Sequence, residues 1–333
     1  MILRCALAIS TAMLLTLAIT PIVVFVAKKL KLRQTVLQYV DNHLSKSGTP
    51  TFGGVAFMLS SGIISFLFFE GERSLSVLTL SVALGYGVVG FLDDFIKVWF
   101  KQNKGLSAWQ KVVFQSAVAI IVAVFAFRSP LVGGEQFLPV TLNSFSLKWF
   151  AIPYYVIVFL AASNSVNLID GLDGLASGVT KNYLICFAAV IVVAARVKGV
   201  FIAGADETDN LIVMICAVIG ALTAYDCFNA YPARIFMGDT GSLALGGLIA
   251  GLAIVTKTTL LLPVLGVMYV VTALSVIIQV AHYKRTKKRV FLMSPIHHHF
   301  ERKGVHENRI VAFYRAITLA VGSTLVGLIM IFA

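Results

Sequence analysis

Apolar residues come in runs of membrane length. Ten such runs can be drawn, at roughly residues 3–27, 51–69, 75–95, 109–128, 149–167, 174–195, 210–230, 241–256, 259–281 and 309–332. About 20 consecutive apolar residues cross a bilayer as a helix. The pattern therefore predicts an all-α integral membrane protein with about ten transmembrane helices. It predicts one polytopic unit over residues 1–333 rather than several soluble domains. The first run follows only Arg4, is long for a signal-peptide core and lacks a convincing cleavage site, so it reads as a retained span. Residues 129–148, with Pro130, Gly133, Gly134 and Pro139, read as a hairpin or loop between spans. No internal repeat of the transporter kind stands out.

Composition supports this pattern. The chain is 59% hydrophobic and 13% charged, beyond the roughly half-apolar content of soluble domains. The four cysteines, Cys5, Cys186, Cys216 and Cys227, sit inside apolar runs without CxxC spacing, so they read as buried thiols. A net charge of +12 would suit nucleic acid, but the basic residues cluster in short loops between spans. Topology and membrane lipid explain that arrangement better, and no nucleic-acid partner is expected.

Alternating loops carry basic residues unequally. One set holds 18 Lys and Arg, the other 6. The excess belongs in the cytoplasm, which puts both termini on the extracytoplasmic side. The same assignment sends every acidic island, and a His-rich loop, to the cytoplasmic face.

Those islands interrupt the apolar pattern. The largest contains Asn164, Asn167, Asp170 and Asp173 at intervals of three, a spacing that puts neighbouring members on one helical face. The second is Asp93-Asp94. The third is Gly238-Asp239-Thr240-Gly241-Ser242. Acids near a bilayer are costly and mark function or a water-filled cavity. Each has an ordinary explanation too. Asp93 and Asp94 can pair with Lys97 one turn on. Asp170-Gly171 and Asp173-Gly174 can turn the chain and cap the next span. Asp239, Thr240 or Ser242 can cap the span that they open. Two Asp with two Asn exceed what a cap needs. Oxygen-rich side chains are also what Mg²⁺ and a nucleotide require, and flanking glycines let helix amides approach phosphate. The expectation is that the three islands converge at one membrane face around a metal-bound polyphosphate.

Smaller signals surround them. Asn229 and Arg234 precede the third island, and Phe236 is placed to stack on a base or simply to pack. His297, His298 and His299 cannot all face one way on a regular helix, so a three-His zinc site is not expected. Imidazoles beside a diphosphate are more plausible. Lys46 stands at the mouth of the Gly48–Gly54 loop, where it suits a phosphate.

Five stretches together carry a family likeness: GTPTFGG (48–54), GFLDDFIK (90–97), NLIDGLDGLA (167–176), FNAYPARIFMGDTGSLALGG (228–247) and PIHHHFE (295–301). In that order they resemble the phospho-N-acetylmuramoyl-pentapeptide transferases, within the polyprenyl-phosphate N-acetylhexosamine-1-phosphate transferase superfamily. The resemblance implies transfer of a sugar phosphate from UDP-N-acetylmuramoyl-pentapeptide to undecaprenyl phosphate with Mg²⁺, giving lipid I and UMP. It implies an active-site cleft on the cytoplasmic face of the bacterial inner membrane, and a homodimer. By the same resemblance Asp93 is the base for the lipid phosphate and Asp94 its partner acid. Asp239 is the principal Mg²⁺ ligand, with Asn167 a second. Gly171, Leu172, Asp173, Asn229 and Phe236 form the uridine pocket, and Asp170 binds substrate. Lys46 and Lys97 contact substrate. The triple His marks the muramoyl-pentapeptide branch, with His298 catalytic and His297 and His299 binding. Ile169 stands where Thr is usual, and Phe52 where Met is; neither removes a group the chemistry needs. The competing readings are a transferase using UDP-GlcNAc, against which the triple His argues, and an ion-coupled transporter. A transporter would carry polar groups through mid-membrane or on both faces.

Overall fold

The computed structural model describes residues 1–30, 32, 48–100, 105–200 and 203–333. Lys46 lies outside them. The helices are α1 Ile2–Lys29, α2 Gly54–Phe68, α3 Ser74–Trp99, α4 Ala108–Arg128, α5 Ala151–Ile169, α6 Leu175–Val192, α7 Ala205–Asn229, α8 Gly238–Val255, α9 Leu262–Leu265, α10 Val267–Thr286, α11 Ile296–Arg302 and α12 Glu307–Phe332. Among the described residues, 9 helical stretches are long and apolar enough to cross a membrane. The chain is an all-α, multi-pass membrane protein.

Two of the ten expected spans differ from plain transmembrane helices. α2 has only 15 residues, about 22 Å at helical rise, against a hydrocarbon core of about 30 Å. Its missing length is the extended segment before it, which packs on the start of α8. Gly53 N donates to Phe236 O at 2.8 Å, Gly54 N to Met237 O at 3.0 Å and Phe236 N to Pro50 O at 2.9 Å. A Cβ on Gly54 would stand 2.4 Å from Gly241 Cα, so only glycine permits this approach. The span expected at 259–281 is broken: a 3₁₀ turn at Thr259–Leu261 leads into α9, and Gly266 separates α9 from α10. Pro263, in the first turn of α9, lacks the N–H that a continuous helix would use.

α8 is the centre. It is buried almost throughout and packs against α2, α3 and α5. Small residues allow this: Gly247 meets Tyr86, Gly251 meets Val82 and Gly246 meets Ser163. Close backbone approach replaces the hydrophobic drive that lipid does not supply. α7 joins α1, α2 and α6 on its other side.

The loop expected at 129–148 is an antiparallel hairpin, β1 Glu135–Phe137 with β2 Ser144–Ser146. Gln136 ties it to the bundle through Tyr155 Oη (3.1 Å) and the Thr259 hydroxyl. The starts of α1, α3 and α7 meet at one end of the bundle. There Arg4 reaches Glu70 and Asn210, and Glu207 binds the first turn of α3.

Candidate active site

At the other end, three acids from two helices meet. Ligand oxygens of Asp93, Asp94 and Asp239 lie within 4.8 Å of one another. Asp93 and Asp94 are buried in the penultimate turns of α3, and Asp239 stands in the first turn of α8. Two lysines bridge them. Lys97 Nζ lies 2.6 Å from Asp93 Oδ2, 3.8 Å from Asp94 Oδ1 and 3.0 Å from Asp239 Oδ2. Lys111 Nζ, from the first turns of α4, lies 3.1 Å from Asp93 Oδ2 and 2.6 Å from Asp239 Oδ2. The expected Lys97 pairing within α3 is present, and it extends across to α8.

Asp94 has a separate task. Its oxygens accept from Asp239 N at 3.1 Å, Thr240 N at 2.9 Å and Thr240 Oγ1 at 2.7 Å. The start of α8 is therefore capped by an acid from α3. This corrects the expectation that Asp239, Thr240 or Ser242 caps its own helix: the N-cap residue is Met237, without a side-chain cap. A carboxylate at an N-terminus meets both the free amides and the helix dipole. Asp239 is left pointing at the lysines.

Asn167, in the last turn of α5, holds the other oxygen of Asp239: its Nδ2 donates to Asp239 Oδ1 and to Ser242 Oγ, both at 2.9 Å. Asn164 lies one turn deeper and donates to Gln115 Oε1 at 2.8 Å. α5 ends at Ile169, so the even series of four polar residues is not helical throughout. Asp170 and Asp173 stand in the tight connection to α6. The cap expected there from Asp173 is absent. Gly174 is the N-cap residue at φ 71°, and Asp173 instead accepts from Ala233 N at 2.9 Å. Asp173 N donates to Glu307 Oε1 at 2.5 Å. Asn229 is committed at both ends, accepting from Gly174 N at 3.1 Å and donating to Ile235 O at 2.9 Å. These bonds fix the 170–174 loop to α7 and α12. Leu172 is buried beneath it, while Phe236 is half-buried.

The three histidines divide as their spacing requires. A Cβ on Gly171 would stand 2.3 Å from His297 Nε2 and 3.0 Å from His298 Nε2, so both rings press on that glycine. His298 Nδ1 pairs with Glu301 Oε2 at 2.9 Å. His299 turns away and accepts from Leu292 N at 3.1 Å.

The electrostatics are unbalanced toward the acids. Burial, and the neighbouring Asp239, Asp94 and Asp173, push the Asp170 carboxyl well above its ordinary range, with Lys97 opposing. No described residue donates to that carboxyl. Oxygen donors from three acids, set close together and supported by Asn167 and Ser242, match the preference of a hard divalent cation such as Mg²⁺. The lysines suit phosphate oxygens as well as they suit carboxylates.

The structure thus brings Asp93, Asp94, Lys97, Asn167, Asp170 and Asp239 to one place. It sets Gly171, Leu172 and Asp173 on the adjoining loop, with Asn229 of α7 and His297 and His298 of α11 against it. Lys111 and Glu307 were missed in the sequence. Each is a charged residue in the opening turns of a largely apolar helix, Glu307 with Arg309 beside it, and that is the signal that marked Asp239.

Residues 74–257, which hold Asp93, Asp94, Asp170, Asp173 and Asp239, match Glycosyl transferase family 4. Along nearly the whole chain, the protein is similar to enzymes named phospho-N-acetylmuramoyl-pentapeptide-transferase. The one from Desulfitobacterium hafniense is 40% identical over 321 residues, 96% of each chain. One from a Thermoanaerobacter species is 41% identical over 321 residues, again 96% of each, and that of Clostridioides difficile is 38% identical over 309 residues, 92% of each. The class is a polytopic membrane transferase of phosphosugars. Within it, the chain belongs to the phospho-N-acetylmuramoyl-pentapeptide-transferase family.

Proposed function

We propose that this protein transfers phospho-N-acetylmuramoyl-pentapeptide from its UDP-linked donor to undecaprenyl phosphate, forming lipid I and UMP. The reaction takes place with Mg²⁺ at the cytoplasmic face of the bacterial inner membrane. The observation that carries this reading is the meeting of Asp93, Asp94 and Asp239 with Lys97 and Lys111 at one end of a membrane bundle. Phosphoryl transfer asks for alignment and charge neutralisation more than for covalent chemistry.

A phosphate oxygen of the lipid attacks the phosphorus that bears the sugar. The phosphoanhydride bond breaks, and UMP leaves with its electron pair. Lys97 and Lys111 hold the phosphoryl oxygens. In the ligand-free arrangement they both contact Asp93 Oδ2. A phosphate that draws them away frees that oxygen to accept the proton of the lipid phosphate. Asp239 and Asn167 would hold the metal, and Asp94 keeps Asp239 in place through the start of α8. When bound, Mg²⁺ neutralises charge on the donor's diphosphate. Gly171, Leu172, Asp173, Asn229 and Phe236 form the uridine pocket, with Asp170 a further substrate contact; His297 and His298, pressed on Gly171, stand beside it, and His299, turned to Leu292 N, steadies their helix. Lys46 is a further substrate contact. The assembly is a homodimer.

The test is UMP release by purified protein given undecaprenyl phosphate and, separately, UDP-N-acetylmuramoyl-pentapeptide or UDP-GlcNAc. Release should need the first donor and Mg²⁺, and should stop with chelator. Release with UDP-GlcNAc alone would move the protein to the other branch. Solute flux without UMP release would make it a transporter.

A further inference from the structure

A second charged group lies away from the carboxylate cluster, on the lipid-facing side of α6. Arg315 stands in the third turn of α12, inside that helix's membrane-length stretch. Its side chain runs across Gly178 of α6: a Cβ there would be 2.7 Å from Arg315 Cδ and 3.0 Å from Nε. The two helices are tied at the same level, the Asn182 side chain donating through Nδ2 to Arg315 O at 2.8 Å. No described residue accepts a hydrogen bond or ion pair from the guanidinium. On the other flank of α6, Lys181 Nζ meets Asp226 Oδ2 at 2.5 Å, and Ser177 Oγ donates to Asp226 Oδ1 at 2.5 Å.

Helical spacing puts exposed Ile185 between the Lys181 flank and the Gly178–Asn182 flank. The strip of α6 between α7 and α12 is therefore open to lipid. Lys181 and Arg315 against Asp226 leave one positive charge uncompensated. An ionised side chain at this depth is costly without a partner and marks a functional site. α6 and α12 both begin at the end of the bundle that holds the carboxylate cluster. Side chains on a helix lean toward its N-terminus, so both cations aim at the level where a bilayer presents its headgroups.

We propose that this strip seats the phosphodiester of an acidic phospholipid. Arg315 donates to it with its planar fork and supplies the uncompensated positive charge, Lys181, paired with Asp226, adds an ammonium donor on the other flank, and Gly178 leaves the room. The guanidinium matches phosphate in shape and charge, and basic recesses between spanning helices hold acidic headgroups. This inference does not depend on the proposed reaction.

The experiment is native mass spectrometry of the detergent-solubilised protein with added dioleoyl phosphatidylglycerol, dioleoyl phosphatidylcholine or undecaprenyl phosphate. The wild type should retain phosphatidylglycerol about tenfold more strongly than phosphatidylcholine, and Arg315→Gln should lose that preference. Lys288→Gln, in the exposed basic segment after α10, should keep it. Arg315→Lys, which keeps the charge without the fork, should fall between, and it decides the matter if Arg315→Gln does not fold. Equal retention of the two phospholipids would overturn the proposal, as would unchanged retention in the Arg315 variants. Displacement of phosphatidylglycerol by equimolar undecaprenyl phosphate would also overturn it, by assigning the strip to the acceptor lipid.

Discussion

The two ends of the bundle use buried acids in opposite ways. At the end where α3 and α7 start, Glu207 is 1% exposed and accepts from Leu75 N, Ser76 N and the Ser74 and Ser76 hydroxyls. Every donor belongs to one helix start, and none can leave without breaking that helix. At the other end, Asp93 and Asp239 pair with lysine ammoniums on flexible stems; one backbone amide, Leu106 N, also donates to Asp93 Oδ1 at 2.7 Å and leaves Oδ2 to the lysines. Ammoniums can transfer to a phosphate without unfolding anything. An acid that holds backbone amides is architecture; an acid held by movable cations is available to a ligand. Asp94 stands between these cases, inside the reactive cluster yet capping α8.

Asp239→Asn should produce the largest effect. It removes the charge that both lysines and Asn167 address, and turnover should fall by about a thousandfold or more, roughly 4 kcal/mol. The protein should still elute as a monodisperse, folded species, because Asp94 rather than Asp239 caps α8. Near-normal UMP release from that folded variant would end the metal assignment. Lys111→Gln should follow, costing about a hundredfold in kcat/KM, with the stability largely kept. An unchanged rate would mean that Lys111 balances charge only in the ligand-free protein.

Glu207→Gln reverses the pattern. It places an NH₂ among donors at a buried site, so stability should drop by about 2–3 kcal/mol with activity per folded molecule unchanged. Thermal unfolding in detergent against specific activity separates the two. A loss of specific activity without loss of stability would erase the distinction between the ends.

The sequence disclosed the reactive end better than the architectural one, for a physical reason. Acids in an apolar chain are visible as interruptions, so Asp93, Asp170 and Asp239 stood out before their partners were known. What Asp94 and Asp239 do depends on partners more than 100 residues away, Asp94 with Thr240 and Asp239 with Lys97 and Lys111. One-dimensional spacing cannot show those contacts. The caps expected from Asp173 and Asp239 failed for that reason: a local rule was overridden by an acid or a loop arriving from elsewhere. The ninth span misled differently. Its composition is continuously apolar, but Pro263 and Gly266 break its backbone, and hydropathy is blind to backbone.

Asp170 sharpens the comparison through pH. Its carboxyl is raised well above the ordinary range by burial and by neighbouring acids, so folding favours the protonated form. Its contribution to stability is full below the unfolded value of about 4 and is lost as pH rises through the folded value. Asp170→Asn keeps the shape without the charge. The ligand-free variant should therefore gain stability over wild type as pH is raised, with the difference vanishing in acid. A melting-temperature difference that is flat with pH would remove Asp170 from the acid cluster.

The smallest expected effect tests how the architecture serves the reactive end. Ser107 and Gln110 form a capping box at the start of α4, and Lys111 follows directly. Ser107→Ala should cost about 1 kcal/mol, because one amide of the first turn loses its acceptor. Fraying of that turn moves the stem of Lys111, so KM for the donor should rise by about twofold while kcat holds. The lysine's reach across to Asp239 tolerates small displacements, since its four-carbon stem can follow. If kcat fell while KM stayed fixed, Lys111 would act on the reacting atoms through a rigid placement, and the mobility ascribed to this end would be wrong.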